Sequence, residues 1–187
     1  KTEINSKFKD AIGSLKKGSS VVYCVPTGFG GNNENIALLK HVTGFDAGKS
    51  ISYFYFPLDN MDDTPQIIGS MSKIDDKKLL SLLTTGKEIK KFVEISSAEY
   101  MHGINTIKKF SSLCSVLEIC KFVSNNTKSD KTFVDFTDIY LDDMITGLFD
   151  LRSLGYSFEG AQTLMYLING SIRGINGYIK RLIDTVR

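Results

Sequence analysis

The sequence predicts an α+β protein, with a small α/β portion over residues 1–60 and a mostly helical portion over residues 66–187. Three observations indicate this class. Two short runs rich in β-branched and aromatic residues lie within the first 60 residues, a segment of turn-forming residues follows, and apolar residues recur at helical spacing through most of the remaining chain. The two portions are also compatible with one compact domain.

The first predicted element is an amphipathic helix at the start of the chain. Ile4, Phe8 and Leu15 recur at the spacing of one helix face, and Gly18 follows where a helix often ends. This helix precedes the first predicted strand.

The α/β portion is predicted to contain two strands joined by a helix. The runs 21–25 and 51–56 are rich in β-branched and aromatic residues and are bounded by Gly, Ser and Pro. Between them, a helix is predicted near residues 35–42. Two strands with a helix between them are typical of an α/β unit.

After the second strand, the segment LDNMDDTPQ favours turns, and a boundary between the two portions is predicted near residues 57–66. The polar run 124–131 is predicted to be a loop, and Asn169-Gly170 is predicted to separate the last two helices. Helices are predicted near residues 75–84, 87–95, 98–122, 138–153, 158–168 and 172–186.

Composition argues against several classes of function. The 23 basic and 21 acidic residues give a formal charge of +2, so a clustered basic surface for nucleic acid is not predicted. The three cysteines form no CxxC pair, which argues against a zinc site and a disulfide framework and favours a reducing, cytoplasmic location. No apolar run is long enough to span a bilayer.

The strongest motif is the glycine-rich stretch VPTGFGGNNEN, which follows the first predicted strand and leads into a helix. Backbone amides and the helix dipole can bind a phosphate in such a loop, so Gly28, Gly30 and Gly31 are candidate phosphate-binding residues. The match to a dinucleotide fingerprint is incomplete, because Asn33 takes the place of the third glycine and Glu34 adds a negative charge at the helix entrance. A plain turn, which glycine adopts easily, is the leading interpretation of this stretch.

A second incomplete motif is TGFDAGKS, whose Lys49 and Ser50 are further candidate phosphate ligands. They match the end of a P-loop, but Thr43 replaces its first glycine, and a predicted strand follows where a P-loop requires a helix. We therefore interpret residues 44–48 as a connection from helix to strand.

Two charged surfaces are candidate sites for protein partners. Asp138, Asp142 and Asp143 belong to an acidic stretch, and Lys180 and Arg181 belong to a basic C-terminal helix. A cation could bind the carboxylates, but the spacing of a calcium-binding loop is absent, so no metal site is predicted. No cofactor and no catalytic residue are predicted either.

Residues 138–187 carry a helix, a glycine turn and two further helices. They resemble the repeated cytoplasmic domain of the inner-membrane platform proteins of type II secretion and type IV pilus machines. The resemblance implies a non-enzymatic scaffold at the cytoplasmic face of a membrane, contacting an assembly ATPase. The residues that carry it are Leu148, Leu151, Gly155, Ser157, Phe158, Ala161, Leu164 and 183–187.

The leading functional prediction is therefore a non-enzymatic interaction or assembly module. Its more specific form is a cytoplasmic component of a secretion or pilus machine. Protein partners, including membrane-associated machinery, are predicted, and a homo-oligomer stays open. The first alternative is a nucleotide- or phosphate-binding protein that uses a glycine-rich loop. The second alternative is a nucleic-acid-binding protein.

Overall fold

The computed structural model forms two compact units, Lys1–His102 and Gly103–Arg187. The first unit contains a mixed β-sheet and the second is helical, which confirms the α+β class. The residues described are 2–57, 66–71, 89–127, 141–142, 144–145, 147–152, 154–155 and 162–186.

The sheet of the first unit has four strands within the described residues. In spatial order they are β1 (Ser20–Tyr23), β2 (Ser52–Tyr55), β3 (Gln66–Ser70) and β4 (Ile89–Val93). β1 pairs parallel to β2, β2 antiparallel to β3, and β3 parallel to β4. The two predicted strands correspond to β1 and β2, and the other two lie beyond residue 60.

Two helices accompany the parallel pair β1 and β2. α1 (Thr2–Ile12) packs against α2 (Gly31–Thr43), which connects β1 to β2 and ends at Gly44 with a backbone bond to the Lys40 carbonyl oxygen. This strand–helix–strand order is the α/β unit that the sequence predicts. One buried apolar cluster of the first unit contains Ile12, Tyr23, Leu39, Ile51, Tyr53, Tyr55, Ile95 and Ala98.

A long helix, α3 (Ile95–Thr127), begins in the first unit and continues in the second. The second unit also contains α4 (Gln162–Val186) and further helical residues between 141 and 155. Its core is almost entirely aliphatic and aromatic, because the buried faces of these helices meet there. The core residues are Phe110, Leu113, Leu117, Met144, Leu151, Leu154, Ile168, Ile175 and Tyr178.

Three of the predicted elements are wrong. Residues 89–93 form β4 and not part of a helix, since the run pairs with β3 and is rich in β-sheet-forming residues. Residues 124–127 belong to α3 and not to a loop. α4 continues through Asn169-Gly170 because burial of Ile168 and Ile175 on the same helix outweighs the roughly 1 kcal/mol that a helical glycine costs.

The boundary predicted near residues 57–66 falls between two paired strands of the sheet, β2 and β3. The helix predicted near residues 75–84 lies outside the described residues. In the described part of the chain, no helix is both long and apolar enough to cross a membrane.

Candidate functional site

The glycine-rich loop connects the carboxyl end of β1 to the first turn of α2. Gly30, the residue that precedes α2, has a backbone φ of 73°, a left-handed conformation that residues with a side chain rarely adopt. At Gly31, an added Cβ would lie 2.7 Å from the Cβ of Thr27, so the loop closes on itself too tightly for a side chain. Both glycines are therefore required by the loop conformation.

The helix start is capped by a carboxylate from a distant part of the chain. Glu99, on α3, accepts the backbone N–H of Gly30 at Oε2 and the backbone N–H of Asn32 at Oε1, both at 2.9 Å. The Thr27 hydroxyl lies 3.4 Å from the same Oε1. Because amides at a helix N-terminus favour negative charge, Glu99 occupies the position where such a loop would hold an external oxyanion.

Asn32 connects this carboxylate to the sheet. Its Nδ2 donates to Glu99 Oε1 at 2.7 Å and to the Thr27 hydroxyl at 3.1 Å, and its Oδ1 accepts the Tyr53 hydroxyl at 2.7 Å. Two residues further along β2, the Tyr55 hydroxyl accepts the Thr27 backbone N–H at 3.1 Å. The loop, α2, β2 and α3 thus share one buried polar network, which we call the Glu99 network: Thr27, Gly30, Asn32, Tyr53, Tyr55 and Glu99.

Burial changes the acidity of the tyrosines in and beside this network. Loss of solvent raises the pKa of Tyr55 to about 12, and the same effect raises the pKa of Tyr53 and Tyr23 above the ordinary value. The negative charge of Glu99 adds to the rise at Tyr53 and Tyr55. All three phenols therefore stay neutral at physiological pH and act as hydrogen-bonding groups.

The predicted phosphate ligands do not all come together. Gly28, Gly30 and Gly31 lie in the loop that follows the carboxyl end of β1. Lys49 and Ser50 lie in the turn before the amino end of β2, where the Ser50 carbonyl accepts the Gly18 N–H. Since β1 and β2 are parallel, the two groups are at opposite edges of the sheet, separated by about 13 Å of strand.

The predicted charged surfaces lie in the second unit. Asp142 and Lys180 are exposed, and Arg181 donates to the Asn125 side-chain oxygen at 2.9 Å. Asp138 and Asp143 are outside the residues whose side chains are described. A role of these surfaces in binding partners stays a prediction.

Sequence analysis missed Glu99, Asn32, Tyr53 and Tyr55. A signal for Glu99 is present in the sequence, because Ile95 and Ala98 lie one helical turn or less before it on the buried side of α3, where a carboxylate needs partners. No local signal links Glu99 to the loop, since 67 residues separate it from Asn32.

Metal and thiol chemistry find no support in the described residues. These contain no group of three or more His, Cys, Asp or Glu side chains that could hold a metal ion. Cys24, Cys114 and Cys120 are free, and burial raises the pKa of all three thiols, which disfavours the reactive thiolate.

Comparison with known proteins identifies the fold. The sequence matches no protein-family model and no curated protein. The structure is similar to the UDP-D-ManNAc dehydrogenase of Pyrococcus horikoshii, with a TM-score of 0.67 and 14% identity over 95% of this chain and 46% of that chain. The chain shares its fold with part of a dehydrogenase. A second similar structure is the NDP-N-acetyl-D-galactosaminuronic acid dehydrogenase of Methanosarcina mazei Go1, with a TM-score of 0.50 and 14% identity over 65% of this chain and 28% of that one.

The chain therefore spans less than half the length of either dehydrogenase. The fold also corrects the leading functional prediction. The prediction of a non-enzymatic assembly module of a secretion or pilus machine is wrong, because the similar structures are dehydrogenases of nucleotide-linked sugars. The names of the similar structures lie closer to the first alternative, a nucleotide- or phosphate-binding protein that uses a glycine-rich loop, than to an assembly module. No match tests the resemblance of residues 138–187 to platform proteins, which stays a prediction.

Proposed function

We propose that this protein is a nucleotide-binding protein with a dehydrogenase-like fold, and that the loop after β1 forms part of its nucleotide site. The observation that carries the proposal is the position of this loop, at the carboxyl edge of the parallel pair β1 and β2 and at the start of α2. In open α/β sheets, ligands bind at this edge, where loops and helix N-termini meet.

Two further features support a site at this edge. The loop conformation depends on Gly30 and Gly31. Through the Glu99 network, α2, β2 and α3 together hold the loop in place. The names of both similar structures refer to nucleotide-linked sugars, so a nucleoside diphosphate sugar is the first ligand class to test. Catalysis is not part of the proposal, since Glu99, Tyr53 and Tyr55 serve hydrogen bonds inside the protein.

The test is a binding titration monitored by the thermal melting midpoint. UDP, a UDP-linked N-acetylhexosamine, NAD, ATP and GTP would each be added to the folded protein, because a ligand that binds only the native state raises the midpoint. We expect at least one to raise it in a saturable manner. The absence of a shift with all five at millimolar concentration would contradict the proposal.

A pair of substitutions locates the site. Val25, which precedes the loop and is 41% exposed, would be replaced by Trp to obstruct the carboxyl edge of the sheet. Lys49→Trp is the matched control, because Lys49 is exposed at the opposite edge. We expect Val25→Trp to abolish the shift and Lys49→Trp to preserve it. The reverse result would move the site to the turn that contains Lys49 and Ser50.

We also propose a cytoplasmic location. Its support is that Cys24, Cys114 and Cys120 are free thiols, as is usual in a reducing compartment. Cell fractionation tests this proposal, and recovery of the protein outside the cytoplasmic fraction would contradict it.

A further inference from the structure

The carboxylate of Glu99 has an unusual position for an acidic side chain. Only 4% of Glu99 is exposed, and its two oxygens accept the N–H groups of Gly30 and Asn32. The remaining N–H groups at this helix start are used within the turn, since Gly31 donates to the Gly28 carbonyl and Asn33 to the Gly30 carbonyl. Each N–H from Gly30 to Asn33 therefore already has an acceptor inside the protein.

The charge of Glu99 is held by neutral donors. Two backbone amides, the Asn32 side-chain amide and the Thr27 hydroxyl contact the carboxylate, and none of these groups carries a charge. The positive end of the α2 dipole supplies the electrostatic compensation. A second anion at the same helix start would meet both a filled set of donors and the repulsion of a buried negative charge.

We infer that Glu99 is a specificity-determining residue of the nucleotide site, which excludes phosphate from the start of α2. The inference rests on the proposed function and narrows it. The phosphates of the ligand then lie away from the start of α2, because its N–H groups already have acceptors inside the protein. A glycine loop that resembles a phosphate site in the sequence is thus closed to phosphate by a carboxylate of the same chain.

The test is a titration with inorganic phosphate followed by amide NMR on the full chain. In the wild-type protein, we expect the Gly30 and Asn32 amide resonances to stay unchanged, because Glu99 occupies both donors. In Glu99→Ala, we expect both resonances to move in a saturable manner, with phosphate affinity at least about tenfold higher than in the wild type. Chloride at equal ionic strength controls for general salt effects.

A matched control separates position from charge. Glu94→Gln removes one negative charge five residues earlier, where the side chain is exposed, and we expect it to behave like the wild type. Glu99→Gln removes the charge but retains an acceptor oxygen, and serves as the second variant if Glu99→Ala does not fold. With this variant, we expect a smaller gain in phosphate affinity than with Ala.

Two outcomes would overturn the inference. One is a phosphate-induced shift of the Gly30 and Asn32 amides in the wild-type protein, which the wild type alone can reveal. The other is a folded Glu99→Ala or Glu99→Gln variant whose loop amides still do not respond. Failure of the proposed function has a different signature, because none of the five nucleotides would then stabilise the wild type, whatever the phosphate titration gives.

Discussion

The two units differ in what they bury. The first unit buries the amides and carboxylate of Asn32, Asn35 and Glu99, whereas the second unit buries only small polar side chains, Thr106 and Ser171 among its described residues, beside a continuous apolar cluster. A buried polar group costs free energy unless it is hydrogen-bonded, so the core of the first unit depends on specific partners and that of the second on close packing. It follows that the loop after β1 is held by a geometry that few substitutions will preserve.

The first prediction tests the polar core of the first unit. Glu99→Ala removes the acceptor for two backbone amides and the Asn32 side chain, which leaves buried donors unpaired. We expect the free energy of unfolding of the first unit to fall by about 3–5 kcal/mol, because each buried donor left unpaired costs about 1–3 kcal/mol. Urea denaturation monitored by tyrosine fluorescence measures the loss.

Glu94→Ala is the control for this substitution, since Glu94 is exposed. We expect it to change the free energy of unfolding by less than about 0.5 kcal/mol. Equal losses for the two variants would mean that Glu99 stabilises the protein only through net charge, and the contrast between the two cores would not hold.

The next prediction concerns pH and the tyrosines of the first unit. Burial raises the pKa of Tyr55 from 10.0 to about 12, so folding favours its neutral form. The resulting stability is fully present below pH 10 and is lost as the pH rises toward 12, because the unfolded phenol then ionises first. For a shift of this size, we expect a loss of about 2–3 kcal/mol.

Urea denaturation at about pH 9 and about pH 11 measures about half of this loss, because the Tyr55 phenol of the folded protein is still mostly neutral at about pH 11. Tyr55→Phe should reduce the pH dependence, because the substitution removes the ionisable hydroxyl while it retains the ring. The equivalent control is Tyr166→Phe in the second unit, where Tyr166 is exposed. A pH dependence that Tyr166→Phe reduces as much as Tyr55→Phe would contradict the prediction.

A third prediction tests close packing in the second unit. An added Cβ at Gly147 would lie 2.1 Å from a ring carbon of Phe110, which is buried in the apolar core. Gly147→Ala should therefore force the ring to move and cost about 1–3 kcal/mol. A variant as stable as the wild type would show that this core rearranges freely, and that packing there is less specific than the polar core of the first unit.

Sequence reasoning predicted the elements that depend on neighbouring residues and missed those that depend on distant ones. Runs of β-branched and aromatic residues indicated β1 and β2, and the glycines indicated the loop between β1 and α2. β4 was predicted as a helix because its β-structure depends on pairing with β3, 23 residues away at Gln66 and Ile89. The carboxylate of Glu99 could not be assigned to the loop for the same reason.

A fourth prediction concerns Gly177 on α4, where we expect a substitution to stabilise the protein by a small amount. Apart from the neighbouring backbone of α4 itself, no described residue lies within 4 Å of an added Cβ at Gly177, so Ala fits there without a clash, in contrast to Gly147. Because glycine costs a helix more backbone entropy than alanine, we expect Gly177→Ala to raise the free energy of unfolding by about 0.5–1 kcal/mol. A gain at Gly177 together with a loss at Gly147 would show that packing decides the sign, since helix propensity alone predicts a gain at both. A loss at Gly177 would contradict this prediction, because the described residues leave the space beside Gly177 open.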